Sequence, residues 1–310
     1  MTKTFIAARL TGTAIATSFA IAAPLAAQTQ GEPGLDGAAI DNEAIEEEGV
    51  PGDPFADSVF AGDFLTIGAG AAFGPSYSGS DDYVVFPLPL VQGSYKGVDF
   101  NPRPGGLAFD FMPDFENGPN ISLGVAGRIN GDRANNIEDP VVEALGELDT
   151  AIEVGPTAGI GFSGVLNPFD SMTFTVDALF DVAGAHNGAR ISPSLTYFTP
   201  LSRGIATSLS LSTSYVSDDF ADYYYTVTPR QTLLPEVGLP AYQADGGFNS
   251  AGVNALVVFD LGGDLTDGGL SIATIAGYSR LLGDAKRTPL TSIRGSADQF
   301  LLGAGLGYTF

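Results

Sequence analysis

From Phe64 onward, apolar and polar residues alternate with a period of two along most of the chain. In TFTVDALFDV, the residues Phe174, Val176, Ala178, Phe180 and Val182 share one face and Thr173, Thr175, Asp177 and Asp181 the other. That is the spacing of a strand, whose side chains point alternately to opposite sides. GIATSLSLSTSY repeats it, with Ile205, Leu209, Leu211 and Tyr215 set against Ser208, Ser210, Ser212 and Ser214. AIEVGPTAGIGFS sets Ile152, Val154, Ile160 and Phe162 against Glu153, Gly155, Thr157, Gly159 and Gly161. The pattern predicts strands over 64–74, 82–91, 94–101, 104–112, 120–130, 150–163, 171–184, 187–200, 203–216, 247–261, 268–280 and 297–310. Convincing amphipathic helices are missing, with one helical turn expected around NEAIEEE before the strands begin.

Many of these strands approach the ~9 to 11 residues that a tilted strand needs to cross a bilayer. Their connections alternate in length once both ends of the barrel portion are placed on one side. PDFENGPN, LNPFD, PLSR and GGDLTD are short, whereas 130–149, 217–246 and 281–296 are long. Outer-membrane barrels keep short turns on the periplasmic side and long loops outside. The fold class expected is therefore all-β, a closed antiparallel transmembrane β-barrel of about 12 strands, with 10 possible if the division of 82–112 into three fails. A sandwich or propeller also alternates, but leaves edges that closure removes.

Composition agrees with a barrel that has lipid on one side. The chain is 44% hydrophobic and only 16% charged, with 41 Gly, yet its formal net charge is -23. Such a field excludes nucleic acid as a partner. Cysteine is absent, so there is neither a disulfide nor a thiolate metal site. Tryptophan is absent too, which leaves Phe and Tyr to form the interfacial girdles, with Tyr215, Tyr278, Tyr308 and Phe310 as candidates.

The first residues read as a cleaved signal peptide over 1–27. Lys3 and Arg9 form a basic region, LTGTAIATSFAI an apolar one too short to span as a helix, and PLAAQ offers small residues for cleavage. Residues 28–63 contain acids, Pro and Gly but no Lys or Arg. One-sided charge with little hydrophobicity predicts a disordered periplasmic arm. The barrel then occupies 64–310.

Three stretches resemble the MipA/OmpV family of MltA-interacting outer-membrane proteins. YSRLLGDAKRTPLTSIRGSADQFLLGAGLGYTF, Tyr278 to Phe310, resembles that family's closing strand, RLLGDA turn and final strand ending on Phe; YSGSDDYVVFPLPLV and GLPAYQADGGF resemble two further family stretches. The resemblance implies a non-enzymatic barrel in the outer membrane of Gram-negative bacteria, without cofactor. It also implies a scaffold role between murein hydrolase and murein synthase, with adhesion or solute permeability in some members. Outer-membrane lipid and lipopolysaccharide would surround it, and the barrel-assembly machinery would insert it.

The residues leave little room for catalysis. The one histidine, His186, lies in GAHNGAR at a predicted outward loop tip, with Asp181 and Ser192 on the flanking strands. A triad needs mutual geometry that proximity in sequence does not supply. Asp81/Asp82 and Asp218/Asp219 are adjacent carboxylates that read as solvated loop acids, because neighbouring strand residues face opposite ways. GAGAAFG, 68–74, lacks the G-x-G-x-x-G spacing and a following helix, so it holds no nucleotide. Arg128, Glu153, Asp177 and Asp181 are the candidate lumen-lining residues, either in a narrow channel or paired within a plugged lumen. In LLGAGLGYTF, Leu302, Ala304, Leu306, Tyr308 and Phe310 share one face. Leu306, Tyr308 and Phe310 are the candidate assembly signal, on a strand expected to pair with the first and close the wall.

Overall fold

A computed structural model describes residues 58–113 and 119–310. The signal peptide and residues 28–57 of the arm lie outside the described residues. Twelve strands follow one another: β1 (Phe64–Pro75), β2 (Tyr83–Tyr95), β3 (Val98–Arg103), β4 (Gly106–Asp110), β5 (Asn120–Asn130), β6 (Ala151–Ser163), β7 (Ser171–Asp181), β8 (Ala189–Ser202), β9 (Ile205–Val216), β10 (Gly247–Asp260), β11 (Gly269–Leu281) and β12 (Asp298–Thr309). Each pairs antiparallel with its neighbours in sequence, and β12 returns to β1, so the sheet is a closed barrel. The closing register runs from Thr66 opposite Thr309 to Phe73 opposite Leu302. The amide of Phe310 donates to the Leu65 carbonyl at 2.9 Å, so the ladder extends through the last residue.

The expected split of 82–112 into three strands holds, but β2 is longer and β3 and β4 are shorter than the alternation suggests. Lys96 and Gly97 both take positive φ, at 51° and 76°. A two-residue turn of that kind matches the twist of the flanking strands and fixes where the hairpin reverses. Pro104-Gly105, with Gly105 at φ 71°, makes the next reversal. Residues 58–63, placed in the arm by composition, are folded: Val59–Ala61 form a 3-10 turn capped by Ser58, and the Val59 amide donates to Thr266 at 2.8 Å.

The alternation resolves into an inside and an outside. Ile152, Phe174, Leu211, Leu302 and Leu306 stand exposed on the outer wall, while Glu153, Thr157, Leu179, Ser210 and Leu301 are buried inside. Outward aromatics gather at two levels. Phe73 with Tyr83, Tyr215 with Phe248, and Tyr278 with Phe300 pack at the long-loop end, and Tyr308 with Phe310 at the turn end. These are the girdles that Trp would otherwise supply at the two interfaces.

Among the described residues helices do occur, all in the long loops: α1 (Pro140–Glu143), α2 (Asp218–Tyr225), α3 (Gly283–Arg287) and α4 (Pro289–Ser292). The period-two reading missed them because none exceeds eight residues. In α2 the Ser217 hydroxyl caps the first turn, and Phe220, Ala221, Tyr224 and Tyr225 form its buried face.

Candidate functional site

The interior of the barrel divides into a cap, a waist and a cup. The cap is built by the loops. Tyr77, Ile137, Val142, Val227, Val237, Leu239 and Leu290 form one dry cluster, and Val216, Phe220, Ala221, Tyr224, Tyr225, Ala244, Leu281 and Ala285 form another. Polar stitches join loops far apart in sequence. Asp139 caps α1 and pairs with Arg294 at 2.6 Å, Asp132 accepts the Ser78 amide at 2.9 Å, and Thr288 donates to the Tyr225 carbonyl at 2.6 Å. Burial and the nearby Asp132 push the Tyr225 phenol up to about 12. Burial also raises Tyr77 and Tyr224 and lowers Arg133, as expected where charge is costly.

Directly beneath it lies a buried charge cluster. Glu153 accepts from Asn130 Nδ2 at 3.0 Å and faces Arg128 at 3.5 Å, Arg190 at 3.9 Å and His186 Nε2 at 3.4 Å. The Gly188 amide donates to His186 Nδ1 at 3.0 Å. Nδ1 is therefore the acceptor and Nε2 carries the hydrogen that points at Glu153. Arg190 lies 4.7 Å from the centre of the Phe220 ring, which couples the cluster to α2.

His186 is thus a buried residue held by a carboxylate, not the tip of an outward loop. Phe220 packs on it at 4.9 Å. The neighbouring Asp181 does not orient the ring: its carboxylate accepts the amides of Ala183, His186 and Asn187 and braces the β7–β8 connection. With Nδ1 engaged by Gly188, the geometry for activating Ser192 is not assembled. Asp181 is accordingly a turn brace, and the lumen charges that meet are Arg128 with Glu153 and Asp177 with Arg103.

Those last two sit at the waist. Arg103 Nε reaches Asp177 at 2.9 Å, and Thr157 donates to the same carboxylate at 2.5 Å. Hydroxyls pair across neighbouring strands, Thr175 with Ser194 at 2.6 Å and Thr196 with Ser210 at 2.8 Å. The opposite wall is apolar, with Ala72, Phe86, Leu256, Ile275 and Leu301 in one cluster. Thr157, Thr196 and Ser210 on one wall and Leu256, Ile275 and Asn254 on the other are all buried, so side chains fill the waist. Gly68, Gly70 and Ala72 face Gly307, Gly305 and Gly303 across the seam, and these small inward residues leave room for the bulk opposite. GAGAAFG is a packing feature of that seam.

Below the waist, the turn end opens into a cup of about 520 Å³, lined by Phe60, Leu90, Phe198, Pro200, Val258 and Leu265 among others. At its rim Arg203 pairs with Asp264 at 3.1 Å. Composition gave no sign of this space, because its apolar residues come from many separate segments of the chain. Among the described residues there is no group of three or more His, Asp or Glu placed to hold a metal ion. The candidate assembly residues Leu306, Tyr308 and Phe310 lie on the outer face, all about half exposed.

A family model described as MltA-interacting protein MipA matches residues 67–310. No curated protein matches the sequence. Among solved structures, an outer-membrane channel from Pseudomonas putida F1 is similar at 12% identity over 87% of this chain and 100% of that one, with a TM-score of 0.40. OmpT of Vibrio cholerae is similar at 8% identity over 80% and 97%, with a TM-score of 0.33.

Proposed function

The chain belongs to the MipA family of outer-membrane barrels, and from that premise we propose that it is a membrane-anchored docking protein for murein-remodelling enzymes. The partner class comes from the family's description as MltA-interacting. One observation in the molecule carries the choice of scaffold over pore: the waist is filled with side chains beneath a packed cap. A solid barrel offers surfaces and a membrane anchor, not passage. The turn end is the side of the short connections and of the chain entering from the acidic arm, and by the usual orientation of such barrels it faces the periplasm, where the murein lies.

The docking reading expects a murein hydrolase or synthase to co-purify with the full chain from envelope extracts, and the association to be lost on deletion of residues 28–57. It also expects no resolved conductance steps in planar bilayers. Stable ohmic steps from the unaltered chain would instead establish a narrow channel, the reading that an open waist would have favoured.

A further inference from the structure

We infer that the turn-end cup binds a single apolar chain of an uncharged or zwitterionic amphiphile, and that the gap where β2 and β3 part above Gly93 is its opening toward the bilayer. This stands apart from the docking reading, since it needs only the barrel. Porin lumens are polar, but this cup is walled by Leu90, Phe198, Pro200, Val258 and Leu265, and Val258 and Ala273 continue into the apolar cluster above it. At about 520 Å³ it falls within the ~300 to 1,000 Å³ of ligand pockets. Side chains close it at the waist, so an occupant does not continue toward the cap. The rim carries Arg203, paired with Asp264, and the carboxylate of Asp260, which accepts the Gly263 and Asp264 amides. One cation to two carboxylates disfavours an anionic head and tolerates a neutral or zwitterionic one.

The wall supplies the second observation. β2 pairs with β1 from Tyr83 opposite Pro75 through Ser94 opposite Phe64, but with β3 only at Gly93, Ser94 and Tyr95. Continuing that register would set Val91 against Pro102 and Pro89 against Pro104. Proline has no N–H to give a ladder, and Pro87, Pro89, Pro102 and Pro104 line both sides of the gap. Open backbone edges are costly in hydrocarbon, and prolines lower that cost by removing donors. Leu90, which lines the cup, sits on this same strand.

The absence of Trp from the chain allows a direct test. Phe198→Trp and Leu90→Trp place single reporters in the cup, and Leu302→Trp places one on the lipid face. The full chain in lipid vesicles is titrated with lysophosphatidylcholine whose acyl chain carries bromine, a contact quencher. Quenching of either cup reporter is expected to saturate, at a half-point about tenfold below that of the Leu302→Trp reporter, and Ala273→Phe should raise that half-point by about tenfold. A brominated fatty acid, with its anionic head, should bind less well. The proposal is overturned if both cup reporters merely track the lipid-facing one, if Ala273→Phe changes nothing, or if quenching appears only after residues 28–57 are deleted, which would make the chain's own segment the occupant.

Discussion

At the scale of single residues, the strongest commitment in the molecule is Glu153, fully buried among Arg128, Arg190 and His186. Removing one partner of a buried ion pair leaves the other charge uncompensated and costs about 3 to 5 kcal/mol. Glu153→Ala should lose stability of that order in urea titrations of the vesicle-embedded protein. The double variant with Arg128→Ala should lose less than the sum of the two single changes, and strict additivity would contradict the coupling. Asp170 makes a second residue-scale case. Its carboxylate accepts the amides of Val165, Leu166 and Asn167 and the Tyr197 hydroxyl. Burial acts to raise its pKa, but these donors together outweigh it and hold it below the usual carboxylate range. A group depressed in the folded state stabilises above its unfolded pKa and loses that contribution as pH falls through the folded one. The urea midpoint should therefore decline below about pH 4, and Asp170→Asn should flatten part of that decline. The facing of Arg128, Glu153 and Asp177 was legible from period two alone. The use of Asp181 as a brace was not, because its partners are backbone amides that any sequence supplies.

At the scale of elements, alternation specified the strands because their inward residues are turned into the barrel and their outward ones stand exposed on its wall. Leu302 shows this: it is 59% exposed, near the middle of β12, while the adjacent Leu301 is buried in the interior cluster. A cation at the bilayer midplane on a barrel costs about 2 to 4 kcal/mol. Leu302→Arg should therefore weaken the barrel by that amount and reduce the heat-modifiable folded band in mild detergent, whereas Leu302→Ile should leave it unchanged. Equal tolerance of both would argue that this face does not meet lipid. The seam can be tested in the same way. A Cβ on Gly70 would meet the Ala304 carbonyl oxygen across the β1–β12 ladder, so Gly70→Leu should impair closure more than Leu302→Ile, read in the same band. The four loop helices were less legible, since a face of one or two turns is too short to show a 3.6-residue period. Ser217 followed by two acids, with Phe220 and Tyr224 four apart, was the available signal for α2.

At the scale of the whole molecule, two closures lie in series along the axis, and they differ in kind. The cap is a dry core of loop side chains, fixed by long-range contacts such as Thr288 to Tyr225 and Arg294 to Asp139. The waist is filled by wall residues whose positions follow from the strands themselves. Sequence left channel and plug equally open because strand phase tells which residues face inward but not how far they reach across. Loosening the cap alone, by Phe220→Ala with Tyr224→Ala, removes two packed rings yet leaves Leu256, Ile275 and Leu301 in place. Widening the waist alone, by Leu256→Ala with Leu301→Ala, leaves the loops closed above it. Each pair should give no resolved conductance steps in planar bilayers, and only the four changes together should produce them. Steps from the cap variant alone would show that the waist does not seal, and the barrel would then be a gated channel whose loops are its gate.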